Sequence, residues 1–546
     1  MTKSLVIHPF LFAVFPILFL FAYNIDQFPA AVTLLPMAVA VGVAAVFWLG
    51  LSFVLKDKRK AGFIVSLLFL LFFSYENLFE ATKALIARVD WIEGSLVRLG
   101  MSVVEVRQFV LVASGAFFAI AVYFSVKTRR SLHSFTNIAN VVAGAAVMIS
   151  ITNIAIYETS ARLALPGDVG GETAEIPPAD LSGETALLDI YYIIVDGYAR
   201  GDVLQEIYEY DNSEFLDHLA SQGFYVADRS RANYCQTTLS LASSLNLKYL
   251  DDVAEQVGTD YRRRGPLSDA IRDSTVFRFL KQRGYTIVAF ASGYFATEVT
   301  SAHVYMAARW TPGEFEADLI DMTPFPFVGR AVGVGDWHDV LDRYGLKRER
   351  ILYTFDHLAD ATELEGPVFV FAHIVAPHPP FVLGRDGEAV DPGYGFTFND
   401  GIHVIKEGRL TRDEYLRGYV DQLIYTNRRL LSTLDEILSR SAEPPIIILQ
   451  SDHGPGSRFD RHDPYNTDLK ERLSILNAYY LPGKGSTELY AGITPVNTFR
   501  LILDLYFATD CGLLEDDSYF STWSHPYAFI DVTNELDYNT SSEPPN

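Results

Sequence analysis

PPIIILQSDHG, residues 444–454, decides how the rest of the chain is read. Four branched aliphatic residues in a row, Ile446 to Leu449, leave no polar face, so a strand here is covered on both sides, as in the sheets of α/β proteins. The run ends on Ser451, Asp452, His453 and Gly454, which sets a carboxylate and an imidazole where strand gives way to loop. In open α/β sheets, ligands gather beyond the carboxyl ends of the strands. Taken alone, SDHG also reads as an Asx turn leaving a strand.

Outward from this stretch the pattern recurs. DIYYIIVD (189–196), GYTIVAFAS (284–292), GPVFVFAHI (366–374) and SILNAYYL (474–481) are short apolar runs, separated by helical stretches such as SEFLDHLASQG, TVFRFLKQRG and EYLRGYVDQLIYTNRRLLSTLDEILS. Alternation of this kind predicts an α/β fold with a sheet flanked by helices on both faces. Asp196 ends the first run and His373 nearly ends the third, so Asp196, His373, Asp452 and His453 all fall at strand ends. Singly each has a bland reading, Asp196-Gly197 being a common turn pair. Together they supply the carboxylates and imidazoles that metal and phosphoryl chemistry needs.

The first 157 residues are of another kind. Segments 6–25, 30–55, 61–80, 109–126 and 135–157 each approach the ~20 apolar residues that cross a hydrocarbon core, which predicts five N-terminal transmembrane helices. The first run is followed closely by a second and lacks a small-residue cleavage pattern, so it reads as a retained helix. KDKRK (56–60) and KTRR (127–130) follow the second and fourth spans, whereas NIDQFPA after the first has no Lys or Arg. These basic connections belong in the cytoplasm, and an odd number of spans delivers the rest of the chain to the outer, periplasmic side of the cell (inner) membrane. Segment 81–108 carries Lys83, Arg88, Arg98 and Arg107 on that outer side. It reads either as an amphipathic segment on the membrane surface or as a solvated loop. Residues 158–187, rich in Gly, Pro, Glu and Thr, have linker composition, so the expected organisation is a membrane domain 1–157, a linker 158–187 and an external domain 188–546.

Among 546 residues, 67 are Asp or Glu and 44 are Lys or Arg, a formal net charge of −23. The first 157 residues are net basic, so the acidic excess lies wholly in the external part. A domain of that charge is not drawn to nucleic-acid phosphates. Two cysteines, Cys235 and Cys511, form no disulfide framework, and the external domain has to be held by its core.

ANYCQTTLSLASSLN, residues 232–246, brings a thiol and two hydroxyls to the start of a helical run. Orphan N–H groups at a helix N-terminus favour negative charge, so Cys235, Thr237 or Thr238 is placed to act as a nucleophile or ligand, although Ser and Thr also stand there simply as caps.

A strand ending VDGYAR, then TTLSL (237–241), then PHPPF (377–381), then SDHG (451–454), in that order over roughly residues 188–506, resembles the sulfatase and alkaline phosphatase superfamily. Five spans before such a domain are similar to its membrane-anchored branch, the lipoteichoic acid synthases and the phosphoethanolamine transferases. The resemblance implies an external alkaline-phosphatase-like domain with a central mixed β-sheet. It implies a nucleophilic Thr237, from the Thr-x-x-Ser-Leu spacing, with Thr238 in reserve, and one divalent metal ion, Mn, Mg, Zn or Ca, held by Asp196, Thr237, Asp452 and His453. His378 in His-x-Pro-aromatic would bind substrate; His373 would bind phosphate or a second metal, or support the sheet edge. Cys235 lacks the Cys-x-Pro-x-Arg context of a formylglycine precursor and reads as a packed neighbour. Two departures stand out: Asp196 sits where the transferases usually have Glu, and sulfatases have an Asp-Asp pair there. Asp-Gly is also found in nucleotide pyrophosphatases, but their second-metal Gly-His signature is missing here.

The implied function is metal-dependent transfer of a phosphate-linked lipid headgroup to an envelope glycan or lipid through a Thr-bound intermediate. The partners are then the membrane and a lipid or ester substrate at its surface. A hydrolase of sulfuric or phosphoric esters uses the same residues, and a non-catalytic membrane binding module would keep the fold alone.

Overall fold

The computed structural model describes residues 5–88, 103–164, 176, 187–308, 312–332, 342–392, 396–406, 410–484 and 487–538. The chain divides into two compact units, one of Met1–Leu163 with Pro312–Asp342, the other of Ala164–Thr311 with Arg343–Asn546.

In the first unit the apolar segments form helices α1 (His8–Tyr23), α2 (Leu34–Leu55), α3 (Lys58–Phe73), α4 (Tyr75–Arg88), α5 (Val103–Lys127) and α6 (His133–Ala164). Three helical stretches, Ala30–Leu55, Val104–Lys127 and His133–Thr159, are long and apolar enough to cross a bilayer. Lys58–Phe73 and Tyr75–Ile86 qualify only as a pair, bent by 57°. α1 has 16 residues, which at 1.5 Å per residue falls short of a ~30 Å hydrocarbon core. The two basic connections lie side by side: Lys60 Nζ donates to the carbonyls of Val126 at 3.0 Å and Thr128 at 2.8 Å. Toward the other end of the bundle, Arg107 pairs with both carboxylate oxygens of Glu76 at 2.6 and 2.8 Å, and the Tyr75 hydroxyl donates to the Arg107 carbonyl. Val46, Phe53, Phe124 and Val141 face outward, the arrangement expected of a lipid-facing surface. Of segment 81–108, residues up to Arg88 are helical and 89–102 lie outside the described residues, as does nearly all of 165–186 in the linker.

In the second unit, β1 (Ile190–Val195), β3 (Thr286–Phe290), β4 (Val304–Met306), β5 (Val368–Ile374) and β6 (Ile446–Gln450) run parallel. β2 (Tyr225–Val226) and β7 (Asn477–Tyr480) close one edge antiparallel, giving a mixed sheet in the order β2-β7-β6-β1-β5-β3-β4. The sheet is mixed because β7 runs antiparallel beside β6, and β2 antiparallel beside β7. Both faces are covered, as the unbroken apolar runs require. One carries Leu239, Leu241 and Leu245 of α7 (Thr237–Leu245) with Phe277, Phe499 and Ile502, and the other carries Tyr415, Tyr419 and Leu423 of a long helix, Arg412–Arg440. A two-stranded hairpin, β8 (Tyr519–Thr522) with β9 (His525–Asp531), packs Phe520 beside Cys235.

Candidate active site

Register builds the site. β1 lies between β5 and β6, with Ile194 opposite both His373 and Gln450. The residues that leave the central strands, Asp196 after β1 and Ser451, Asp452 and His453 after β6, therefore emerge together, with His373 one residue short of the end of β5. Gly197 makes the turn after Asp196 at φ +73°, a conformation that glycine adopts without strain. Its N–H donates to Asp452 Oδ1 at 3.2 Å and the next N–H, of Tyr198, to Ser451 Oγ at 2.8 Å, tying the two strand ends to each other.

Asp196 stands between two imidazoles. Oδ2 is 3.4 Å from Nε2 of His373, and Oδ1 is 3.6 Å from Nε2 of His453, which is also 3.3 Å from Asp452 Oδ2. All four side chains are buried. His453 Nδ1 lies 2.9 Å from the Gly454 carbonyl. A carbonyl only accepts, so Nδ1 carries the proton and Nε2 presents a lone pair to Asp196, Asp452 and Thr237. Burial, then the nearby Arg472 guanidinium, lowers the His453 pKa and keeps the ring neutral.

Thr237 is the first residue of α7, after an extended Gln236. Its Oγ1 is 3.1 Å from His453 Nε2. The first-turn N–H groups of the helix favour negative charge developing on that oxygen. The cap position belongs to Gln236, whose side chain makes no capping hydrogen bond to the helix.

The donor set fits a divalent cation. Asp196, His373 and Asp452 offer ligand atoms within 4.8 Å of one another, and Asp196 Oδ1, Asp452 Oδ2 and His373 Nε2 are buried without a hydrogen-bond partner. Two neighbouring carboxylates that, among the described residues, form ion pairs with imidazoles and not with Lys or Arg are costly to bury unless a cation joins them. The guanidinium of Arg472, which acts on His453, is committed to Asp400 at 3.0 Å and to the carbonyls of Cys235 and Gly454.

His378 lies over this group, its backbone N–H donating to the Asp196 carbonyl at 3.1 Å and its ring centre 6.1 Å from that of His453. Its loop is held by residues that the sequence did not single out. Lys347 Nζ donates to the carbonyls of His378 at 2.7 Å and Pro380 at 3.1 Å, and Gln422 Oε1 accepts from the N–H groups of Val382 and Leu383. Burial lowers the Lys347 pKa to about 7, against the pull of Asp196 and Asp400. Lys347 sits in KRER on a helical pattern, a run that reads as a solvated face; only its packing reveals it. Thr297, 2.9 Å from His373 Nδ1, likewise carries no signal in sequence.

Cys235 is wholly buried, its thiol directed at the Ser521 carbonyl at 3.6 Å, and burial pushes its pKa up. That is the state of a packed cysteine rather than a thiolate nucleophile. Cys235 and Cys511 are both free.

The sulfatase family model matches residues 189–500. No curated protein matches the chain. Among solved structures, the chain is similar to the C-terminal periplasmic domain of EcEptC from Escherichia coli in complex with Zn, at 13% identity and a TM-score of 0.42, covering 67% of this chain and 98% of that one. It is similar to the C-terminal periplasmic domain of phosphoethanolamine transferase EptC from Campylobacter jejuni, at 12% identity and a TM-score of 0.36, covering 59% and 90%. It is also similar to the integral membrane lipooligosaccharide phosphoethanolamine transferase A of Neisseria meningitidis, at 12% identity and a TM-score of 0.37, covering 91% and 95%.

Proposed function

This chain belongs to the sulfatase family, and from that premise we propose that it is an integral membrane phosphotransferase that moves a phosphate-linked lipid headgroup through a Thr237-bound intermediate. The observation that carries this reading is the Thr237 hydroxyl at a helix start, 3.1 Å from a neutral His453 and beside two buried carboxylates. Asp196, Asp452 and His453 would hold the divalent cation, with Thr237 completing the set, and His373, whose ligand atom lies within 4.8 Å of those of Asp196 and Asp452, would join them or bind the phosphate. When bound, the cation lowers the pKa of the Thr hydroxyl and offsets charge on the phosphoryl oxygens.

Each residue then has a task. Thr237 Oγ1 forms the bond to phosphorus as the lipid alcohol leaves, and the acceptor hydroxyl later displaces Thr237. The first turn of α7 favours the anionic oxygen during attack. His378, fixed by Lys347 and Gln422, binds the phosphoryl oxygens. Burial keeps bulk water from competing with the acceptor.

In this reading α2, the α3–α4 pair, α5 and α6 are four passes and the shorter α1, extended by its flanking residues, is a fifth, the catalytic domain is periplasmic, and 158–187 links them. A site tethered to the bilayer meets a lipid donor by two-dimensional diffusion at high effective concentration. The test is mass spectrometry of the Thr237 peptide after the full chain is incubated with membrane lipids. A phosphoethanolamine or phosphoglycerol adduct is expected. No lipid-derived adduct, together with ready turnover of soluble sulfate esters, would replace the transferase with a hydrolase.

A further inference from the structure

Residues 312–332 lie in sequence between β4 and the helix Arg343–His357 of the sulfatase-like unit, yet they pack as part of the membrane unit. They form two short helices, α8 (Glu314–Asp321) and α9 (Phe325–Val332). Phe315, only 1% exposed, meets the rings of Phe28 at 5.6 Å and Phe21 at 6.5 Å edge to face. The Met322 carbonyl accepts from the Glu76 N–H at 3.3 Å. Phe325 meets Phe72 edge-on at 5.0 Å, and Phe327 stacks on Tyr75 at 6.5 Å.

All of these partners stand at one end of the helix bundle. Phe21 is in the last turn of α1, Phe28 follows it, Phe72 is in the last turn of α3, and Tyr75 and Glu76 open α4. It is the end away from Lys60, where the basic connections meet. α8 and its C-cap set Phe315, Leu319 and Met322 at i, i+4 and i+7, one stripe of a helix, with Asp318 at its edge and Glu314, Glu316 and Asp321 off it. Phe325 is 51% exposed, and the helices this segment packs beside expose Phe19 and Tyr23 on α1 and Leu78 and Leu85 on α4. The apolar belt of the spanning helices thus continues onto this segment, at the level where aromatic side chains collect in membranes.

We propose that α8 and α9 form an interfacial membrane element, seated in the outer headgroup region with Phe325 turned toward the acyl chains, and that its partner is the lipid bilayer. Because α8 is acidic, apolar area rather than attraction to anionic lipid holds it there, and a zwitterionic bilayer suffices.

The inference rests on the membrane-spanning reading of the helices and is independent of the chemistry at Thr237. It is tested by spin-labelling the full chain in phosphatidylcholine nanodiscs, in a Cys511→Ser background with Cys235 left buried. Phe325→Cys is compared with Val46→Cys on α2, 71% exposed, and Tyr465→Cys in the sulfatase-like unit, 89% exposed. Oxygen, which partitions into lipid, and a water-soluble nickel chelate report depth. The Phe325 label is expected about 5–10 Å inside the headgroup boundary, relaxed by oxygen more than the Tyr465 label and by nickel less. Equal nickel access at 325 and 465, with Val46 in lipid, overturns the proposal alone. Shielding of 325 from both reagents also overturns it, since protein then covers the face. Nickel access at Val46 as well removes the spanning reading and this proposal with it. Phe325→Trp, read by quenching with brominated acyl chains, gives the same discrimination if the cysteine variant does not fold.

Discussion

The Thr237 hydroxyl stands 3.1 Å from Nε2 of His453 although 216 residues separate them in sequence. One comes from the first turn of α7 and the other from the loop after β6, and the sheet brings both to one end of the fold. Cys235, two residues before Thr237, points away into the packing under β8.

Thr237→Ala is therefore expected to lower turnover by roughly 10^3-fold or more, as loss of an attacking group does. The thermal midpoint should change little, because Gln236 and not Thr237 occupies the cap position of the helix. Cys235→Ala should retain most activity. An inactive Cys235→Ala enzyme that is still folded, beside an active Thr237→Ala enzyme, would reverse the assignment.

Metal content should follow the buried carboxylates. Asp452→Asn and His453→Ala are expected to lower the stoichiometry of a tightly bound divalent ion, measured by mass spectrometry of the purified chain. Chelation should lower the thermal midpoint of the wild type and re-addition restore it, since a ligand at a thousandfold excess over its Kd contributes about 4 kcal/mol to the folded state. His373→Ala separates two arrangements: lost metal places His373 among the ligands, and retained metal with weakened substrate binding places it at the phosphate.

Lys347 should make stability depend on pH. Its pKa is lowered from 10.5 in the unfolded chain to about 7 by burial. Between these values the unfolded chain holds a proton that the folded chain has lost, so stability rises with pH from about 7 to about 10.5, by at most about 1.4 kcal/mol per unit. Below pH 7 both states are protonated and the burial penalty is fully present. Lys347→Met removes this contribution, and its thermal midpoint, followed from pH 6.5 to 9, should climb less steeply than that of the wild type. Parallel profiles would mean that Lys347 stays charged in place.

Topology has its own readout. Reporter fusions after residues 58 and 128 are expected to report cytoplasm and a fusion after residue 160 the periplasm. A cytoplasmic signal after 160 would change the number of passes and leave the site intact, because every residue of the site lies in the sulfatase-like unit.

Strand runs, apolar helices and the motifs of the candidate site were legible in sequence because each is local. Ile446–Leu449 could only be a strand buried on both faces, and KDKRK and KTRR could only sit at polar ends of apolar helices. Asp196, Asp452, His453 and Thr237 were legible as strand-end and helix-start residues for the same reason. What the tertiary structure alone decided depends on long-range packing. Lys347 belongs to a basic run that would suit any solvated helix face, and only the crossing of its helix beneath the His378 loop buries it. Residues 312–332 read as one more connection between elements of an α/β domain, and only the seating of Phe315, Phe325 and Phe327 on α1, α3 and α4 assigns them to the membrane unit. Periodicity tells which face of a helix is apolar, whereas the neighbour that covers that face is set by contacts between residues far apart in the chain.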